Sequence, residues 1–189
     1  MIESVGELGL AATSVADVAA RAHVSRTAFY EQFDDKPACF RAAYSELTAG
    51  LLAELAGVGV EEPSYVEGVR RSVETYLGWC IDWPSGARAW HLGVLALEPD
   101  GLELRDAAVD RIESLFRAGA NRARREQASL PPAHEFMFAA AGNATLDLVS
   151  TYIRDGRLAE IGELTERVLY LWLLAIADQR VAERSTDLA

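Results

Sequence analysis

The sequence has little cysteine, almost no lysine and no long apolar run. Its 189 residues include two distant cysteines, Cys39 and Cys80, and a single lysine. Two such cysteines exclude a disulfide-rich scaffold, and without a basic, apolar leader they predict a cytoplasmic protein. The longest apolar run, residues 168–177, is about half the ~20 residues that a membrane span requires. We therefore expect no membrane segment.

Catalytic and metal-binding patterns are also absent. The three histidines and two cysteines show no metal-ligand spacing, and His134-Glu135 lacks the second histidine of a zinc-protease helix. No serine lies in a nucleophile elbow. The sequence therefore predicts a protein that is not an enzyme and that needs no cofactor or metal.

The overall charge is acidic. The formal net charge is −11, while the apolar and charged fractions, 50% and 25%, are ordinary for a soluble globular chain. This balance argues against broad affinity for nucleic acid or acidic membranes. It does not exclude a local DNA-reading surface, because base contacts depend on local geometry.

One dense pattern of helix signals lies near the start of the chain. Ser14 is a good N-cap, and Asp17 stands three residues later in a capping-box position, which predicts a helix to about residue 21. Ser25 offers a second N-cap for a short helix over 26–32. Two short helices joined by a turn of about three residues indicate a helix-turn-helix unit.

The outward side of the second short helix carries side chains suited to DNA. Arg26 can pair with guanine, Thr27 can contact a base or a thymine methyl, and Tyr30 can donate to a phosphate. Lys36 stands at the start of a third helix, where its charge can meet a phosphate. The predicted DNA-binding residues are Ser14, Ser25, Arg26, Thr27, Ala28, Tyr30 and Lys36.

The segment 13–40, TSVADVAARAHVSRTAFYEQFDDKPACF, resembles the DNA-binding segment of the TetR family of bacterial transcriptional repressors. The matching positions are Ala19, Val24, Ser25, Tyr30, Phe33 and Lys36. The resemblance implies a homodimer that binds a palindromic DNA operator and releases it when a small molecule enters the C-terminal domain.

The chain departs from the family pattern at three points. His23 stands where the family usually has glycine in the turn, so we expect a positive φ there, which histidine tolerates at some strain. Only Met1 to Leu8 precede Gly9, without Lys or Arg, so the family's first helix and basic arm are mostly missing. Residues 1–40 hold three basic against six acidic residues, a net charge of −3, which is poor for non-specific phosphate attraction.

The remainder of the chain shows helical periodicity, and we predict an all-α protein. The predicted helices cover residues 36–56, 64–82, 87–97, 102–126, 131–154 and 160–183. The run 93–97 also fits a buried strand, but no partner strand is visible. We assign residues 1–44 to a helix-turn-helix DNA-binding domain with a truncated first helix, and 45–189 to a helical ligand-binding and dimerisation domain.

Aromatic and soft side chains in the larger domain are candidates for a ligand site. They are Tyr76, Trp79, Trp83, Trp90, His91, Phe116, Phe136, Met137 and Asn143. Taken singly, each fits core packing better than a cavity wall, whereas the resemblance implies a cavity between these helices. Because these candidates include no Lys or Arg, we expect a small apolar or aromatic effector that is uncharged or cationic.

The last two helices are the predicted dimer interface. Residues 168–177 leave no polar face, which indicates a covering partner subunit, with Leu169 and Leu173 as outward-facing candidates. Small residues at 139–144 of the preceding helix allow close approach of another helix.

The sequence therefore predicts a ligand-responsive regulator, with repression the expected sense. An alternative comes from the missing first helix and the acidic N-terminal segment. In that alternative, the chain is a helical homodimer that binds small molecules or proteins and has lost DNA binding.

Overall fold

The computed structural model describes residues 1–60 and 62–188, with the main chain alone at positions 59 and 60. These residues form helices and loops without a β-strand, which confirms the predicted all-α class. The helices are α1 (Ile2–Leu8), α2 (Val15–Arg21), α3 (Arg26–Gln32), α4 (Lys36–Val60), α5 (Tyr65–Asp82), α6 (Pro84–His91), α7 (Gly101–Glu126), α8 (Glu135–Arg154), α9 (Thr165–Ile176) and α10 (Gln179–Ser185). Within the described residues, no helix combines the length and apolar character needed to cross a lipid bilayer.

Several helix boundaries differ from the predicted ones. The predicted connection 57–63 is helical as far as Val60, and its position 61 lies outside the described residues. α6 begins at Pro84, before the predicted start at residue 87, because proline suits the first turn of a helix. The run 93–97 contains a 3-10 helix over Gly93–Ala96 in place of a strand.

The predicted final helix is divided into three parts. A 3-10 segment, Leu158–Leu164, leads into α9, and α9 ends at Ile176. Asp178 then caps α10, since its carboxylate accepts a hydrogen bond from the Val181 amide at 2.9 Å. The sequence predicts no break at this cap, because the apolar run before it indicates one continuous helix.

The described residues divide into two compact units. The first consists of Met1–Gly50 and Trp83–Arg105, and the second of Leu51–Asp82 and residues 106–188 within the described part. Neither unit is continuous in sequence, since the segment with α6 packs with the helix-turn-helix region. The assignment of separate functions to 1–44 and 45–189 stays a prediction.

The first unit is built around α1, α4 and α6. A cluster of buried apolar side chains consists of Val5, Leu10, Phe40, Ala89 and Leu97. α1 and α6 approach so closely that a Cβ atom on Gly6 would lie 2.0 Å from the carbonyl oxygen of Ser85. The Glu3 carboxylate accepts hydrogen bonds from the Trp83 indole and the Ser85 hydroxyl. The short α1 is therefore anchored by α6.

The second unit packs around α9. α5, α8 and α10 each pack against this helix, whose Leu169 and Leu173 are fully buried. The expectation that these two leucines face outward is therefore wrong. The core of this unit covers them, and the accessible side of α9 carries Arg167, Tyr170 and Leu171 instead.

Candidate DNA-binding surface and ligand cavity

N-caps set the starts of both helices of the helix-turn-helix. The Ser14 hydroxyl accepts from the Asp17 amide at 3.1 Å, and the Asp17 carboxylate accepts from the Ser14 amide at 2.9 Å. Side-chain and main-chain hydrogen bonds from Ser14 lower the pKa of Asp17 below its usual value. The Ser25 hydroxyl accepts from the Ala28 amide at 3.0 Å. The capping pattern recognised in the sequence is therefore present at both sites, and DNA contact by either serine stays a prediction.

The turn between the two helices contains the expected positive φ. His23 has φ of 56°, and it is the only non-glycine residue with positive φ among the described residues. The turn closes with a hydrogen bond from the Val24 amide to the Ala19 carbonyl at 3.0 Å. Histidine thus occupies the left-handed conformation that glycine would adopt without strain.

α3 presents a polar outer face over an apolar inner one. Phe29 is 5% exposed and packs with Val18 and Cys39, which fixes the orientation of the helix. On the outer side Arg26, Thr27 and Tyr30 are exposed, with Tyr30 at 52%. Arg26 makes no hydrogen bond or ion pair within residues 1–60 and 62–188. Its guanidinium is therefore available to a partner.

Lys36 is tied to the loop between α1 and α2. Its ammonium donates to the carbonyl oxygens of Leu10, Ala11 and Thr13 at 2.6, 3.2 and 2.7 Å. An ammonium has three hydrogens, so each has an acceptor in the free protein. A phosphate contact would require Lys36 to leave at least one of these carbonyls.

The remaining arginine of the region has an acidic partner. Arg21 binds both oxygens of the Glu7 carboxylate, at 2.9 and 2.5 Å. This hydrogen bonding raises the pKa of Arg21 and lowers that of Glu7. Of the three basic residues before position 41, Arg26 alone makes neither a hydrogen bond nor an ion pair within the described part of the chain.

The second unit contains a cavity of about 600 Å³ between α4, α5 and α7. This volume lies in the range of ~300–1,000 Å³ typical of small-molecule sites. Its lining residues are Leu55, Ala56, Tyr65, Gly68, Val69, Ser72, Leu115, Phe116, Ala118, Gly119, Arg122, Arg125 and Glu126. The ligand site was expected to hold no basic residue, and this cavity has two arginines at one end.

A much smaller cavity, of about 20 Å³, lies deeper in the same unit. Tyr76, Phe116 and Trp172 contribute to its wall. The rings of Phe116 and Trp172 stack with centroids 3.6 Å apart. Phe116 therefore borders both spaces, and Trp172 lies directly behind it.

Two of the nine predicted ligand residues line these cavities, namely Tyr76 and Phe116. Trp90 and His91 belong to the first unit, where the Trp90 indole stacks on Tyr44 and donates to Thr48 at 3.0 Å. Burial, and then the charge of Arg105, lowers the pKa of His91 to about 3.

The other five candidates also lie away from the two cavity linings. Phe136 is 68% exposed at the start of α8, and the Asn143 amide donates to the Ala139 carbonyl on its own helix. Met137 and Trp79 are half-buried, and Trp83 is bound to Glu3. The structure therefore does not gather the nine residues into one site.

Several cavity residues escaped the sequence reasoning. Arg122 and Arg125 lie at the end of α7, where the sequence indicates only that cations offset the helix dipole, and Glu126 has no distinguishing sequence signal. Trp172 lies inside the apolar run 168–177, which the sequence predicts to be part of the dimer interface. A buried carboxylate, Glu113, was missed as well, and burial raises its pKa.

The comparisons with known proteins agree with this geometry. Residues 2–43 match the family model of bacterial regulatory proteins, tetR family. The fold is similar to that of the transcriptional regulator FadR from Bacillus subtilis in complex with stearoyl-CoA, with a TM-score of 0.75 and 12% identity over 90% of this chain and 92% of that one. No curated protein matches the sequence.

Two further solved structures carry the family name. The TetR family regulator PfmR from Thermus thermophilus has a TM-score of 0.65 and 25% identity, with 92% of each chain covered. A regulatory protein in the tetR family from Rhodococcus RHA1 has a TM-score of 0.67 and 20% identity over 90% of this chain and 91% of that one.

A helix-turn-helix followed by a larger helical unit is the architecture of a transcriptional regulator. The N-terminal match and the fold of the whole chain identify it further. Residues 2–43 match the tetR family's regulatory-protein model, and the whole chain has the fold of TetR family transcriptional regulators. This family and this fold are those of transcriptional regulators, not of enzymes.

Proposed function

We propose that this chain binds a palindromic DNA operator as a homodimer and releases it when a small molecule occupies the cavity, so that it acts as a repressor. The observation that carries the proposal is the outer face of α3. Its three exposed polar side chains stand on a rigid apolar base, and Arg26 has no partner among the described residues.

In the proposed complex, α3 enters the major groove. Arg26 and Thr27, in its first turn, read base edges, and the Tyr30 hydroxyl donates to a phosphate. Ala28 is small enough to allow close approach, while Ser14 and Ser25 lie at helix starts where main-chain amides face an anion. Lys36 supports this surface by holding the loop before α2, and it reaches a phosphate only if that hold is released.

The proposed dimer forms through α8 and α9. The exposed side of α8 carries Ala139, Ala140, Asn143 and Asp147, so another helix can approach closely. On α9, Tyr170 and its neighbours are half-buried rather than covered. A palindromic site requires the two copies of α3 in the proposed dimer to lie one turn of DNA apart, about 34–36 Å.

The 600 Å³ cavity is the proposed effector site. Its apolar wall supports the small, largely apolar effector expected from the sequence. The stearoyl-CoA bound to FadR is a ligand of that protein, and its presence in the same fold supports small-molecule control here.

Binding of the protein to labelled DNA from the region flanking its own gene tests the proposal. Fluorescence anisotropy is expected to detect salt-sensitive, saturable binding with two protomers per site. Absence of binding to any flanking fragment, with an intact dimer in solution, would favour the alternative of a ligand-binding homodimer without DNA affinity.

A further inference from the structure

The two ends of the 600 Å³ cavity differ in chemistry. The wall near α4 and the middle of α7 is apolar and includes Leu55, Leu115 and Phe116. The opposite end lies at the last turn of α7, where Arg122, Arg125 and Glu126 line the same space. A ligand that fills the cavity therefore meets an apolar wall along most of its length and charged groups at one end.

The acidic residue at that end is already satisfied. The Glu126 carboxylate accepts a hydrogen bond from the Tyr65 amide at 3.0 Å and another from Arg122 Nε at 2.5 Å. Burial raises the pKa of Glu126, but these two hydrogen bonds and the nearby charges of Arg122 and Arg125 outweigh it and hold the pKa below its usual value. Glu126 is therefore an anion with its own partners.

Arg122 also has hydrogen-bond partners among the described residues, whereas Arg125 has none there. Besides Glu126, Arg122 donates to the carbonyl oxygen of Glu62 at 2.6 Å. Arg125 makes no hydrogen bond or ion pair with any residue of the described chain, although it lines the cavity. Among the lining residues, two arginines and one carboxylate give a net charge of +1 at this end, and Arg125 is the arginine whose guanidinium makes no hydrogen bond to the described residues, although its charge also acts on Glu126.

We propose that the cavity binds an amphiphile with an apolar body and a single anionic head group, and that Arg125 binds the head group. This inference rests on the proposed effector site and narrows its ligand class. A carboxylate or a phosphate ester matches the fork of donors that a guanidinium presents, and the apolar body matches the remaining wall. An uncharged or cationic ligand would offer the Arg125 guanidinium no anionic acceptor inside the cavity.

Four probes with the same twelve-carbon chain test the inference by calorimetry without DNA, below their micelle concentrations. They are dodecanoate, dodecyl phosphate, dodecanol and dodecylammonium. We expect one or both anions to bind at least tenfold more tightly than dodecanol, and dodecylammonium to bind most weakly. The better of the two anions identifies the head group as carboxylate or phosphate.

Arg125→Gln is expected to lower the affinity for the anion about tenfold and to leave that for dodecanol unchanged. Arg111→Gln is the matched control, because it removes the same charge from an exposed position of α7 outside the cavity. Equal anion affinity in wild type and Arg125→Gln would overturn the inference. That result, with a lowered melting temperature, would mean that Arg125 only offsets the dipole of α7.

Failure of the inference is distinguishable from failure of the proposed function. If a neutral or cationic compound releases DNA while the anions do not bind, the regulator remains and the ligand class is wrong. If the anions bind through Arg125 but no DNA is bound, the ligand class is right and the proposed function is wrong.

Discussion

The two units of the molecule hold their candidate binding residues in opposite surroundings. In the first unit, Arg26, Thr27 and Tyr30 project from a short helix whose inner side is fully packed against Val18 and Cys39. In the second unit, the residues of the proposed effector site line a space of about 600 Å³ that the protein's own side chains leave unfilled. The candidate DNA-binding residues lie outside a fully packed core, whereas the proposed effector site is a cavity within a core.

This difference has a direct energetic consequence. Removing an exposed side chain from α3 takes away a contact with DNA and leaves the core intact. DNA affinity therefore falls while the free energy of unfolding is unchanged. Filling the cavity adds buried contacts and removes ligand space, so stability rises while ligand binding falls. Substitutions on α3 are therefore expected to lower DNA affinity at constant stability, whereas substitutions that fill the cavity are expected to lower ligand affinity while raising stability.

The largest effect is expected from separating the protomers. Ala140 is exposed on α8, and Ala140→Glu places an unpaired carboxylate in the proposed interface, at a cost of roughly 2–5 kcal/mol. We expect a monomer by light scattering and a loss of operator affinity of about 100-fold or more. This variant is expected to lose both dimerisation by the second unit and DNA binding by the first unit, whereas a substitution within one site is expected to affect that site alone.

The control for this variant is Ala107→Glu, which adds the same charge at an exposed position of α7. It is expected to remain a dimer with wild-type DNA affinity. A dimeric Ala140→Glu variant would place the interface on another surface.

The next effect concerns stability in the first unit. Lys36→Met removes hydrogen bonds from a charged donor to three carbonyls, and we expect a loss of about 1.5–3 kcal/mol in the free energy of unfolding. Urea denaturation measures it. If stability is unchanged and the salt dependence of DNA binding falls by about one unit, Lys36 is a phosphate contact, as the sequence indicated.

Arg26 is the counterpart of Lys36, since its removal takes the same charge from the same unit. Arg26→Ala is expected to lower operator affinity by about 1–3 kcal/mol, roughly 5- to 150-fold, at unchanged stability. Arg26→Lys keeps the charge and is expected to lose base preference at one position of each half-site. If both variants kept the wild-type operator affinity and base preference, α3 would not be the helix that enters the major groove.

The smallest effect is expected from a substitution that partly fills the cavity of the second unit. A Cβ atom on Gly119, which lines the cavity, would lie 3.7 Å from Ile176, an ordinary contact. Gly119→Ala is therefore expected to raise stability by about 0.5–1 kcal/mol and to weaken ligand binding. Gly78→Ala, in open space on α5 and outside the cavity, is expected to stabilise by a similar amount and to leave ligand affinity unchanged. Equal ligand affinity in both variants would show that the cavity is not the ligand site.

The helix-turn-helix was predictable because its determinants are local. Ser14, Asp17 and Ser25 act within three residues of themselves, so spacing alone predicts both caps. The positive φ at His23 also follows from a local requirement of the turn. The carbonyl partners of Lys36 lie 23 to 26 residues away, and no local pattern contains them.

The cavity was not predictable for the opposite reason. Trp90 and Phe116 have the same apolar, aromatic character in the sequence, yet one fills the core of the first unit and the other borders the cavity. The environment of Trp90 depends on the packing of α6 with α4, and that of Phe116 on the packing of α4, α5 and α7, over long sequence distances. Leu169 and Leu173 were misplaced likewise, because a helix surrounded by its own unit and a helix covered by a second protomer share one apolar pattern.

Selection of random double-stranded DNA by the immobilised wild-type protein and by Arg26→Ala tests the central claim most directly. The account predicts that the wild type enriches a two-fold symmetric sequence with half-sites about one turn of DNA apart, and that Arg26→Ala loses preference at one position of each half-site. Enrichment of no common sequence by the folded wild-type dimer, or of the same sequence with equal preference by both proteins, would contradict it.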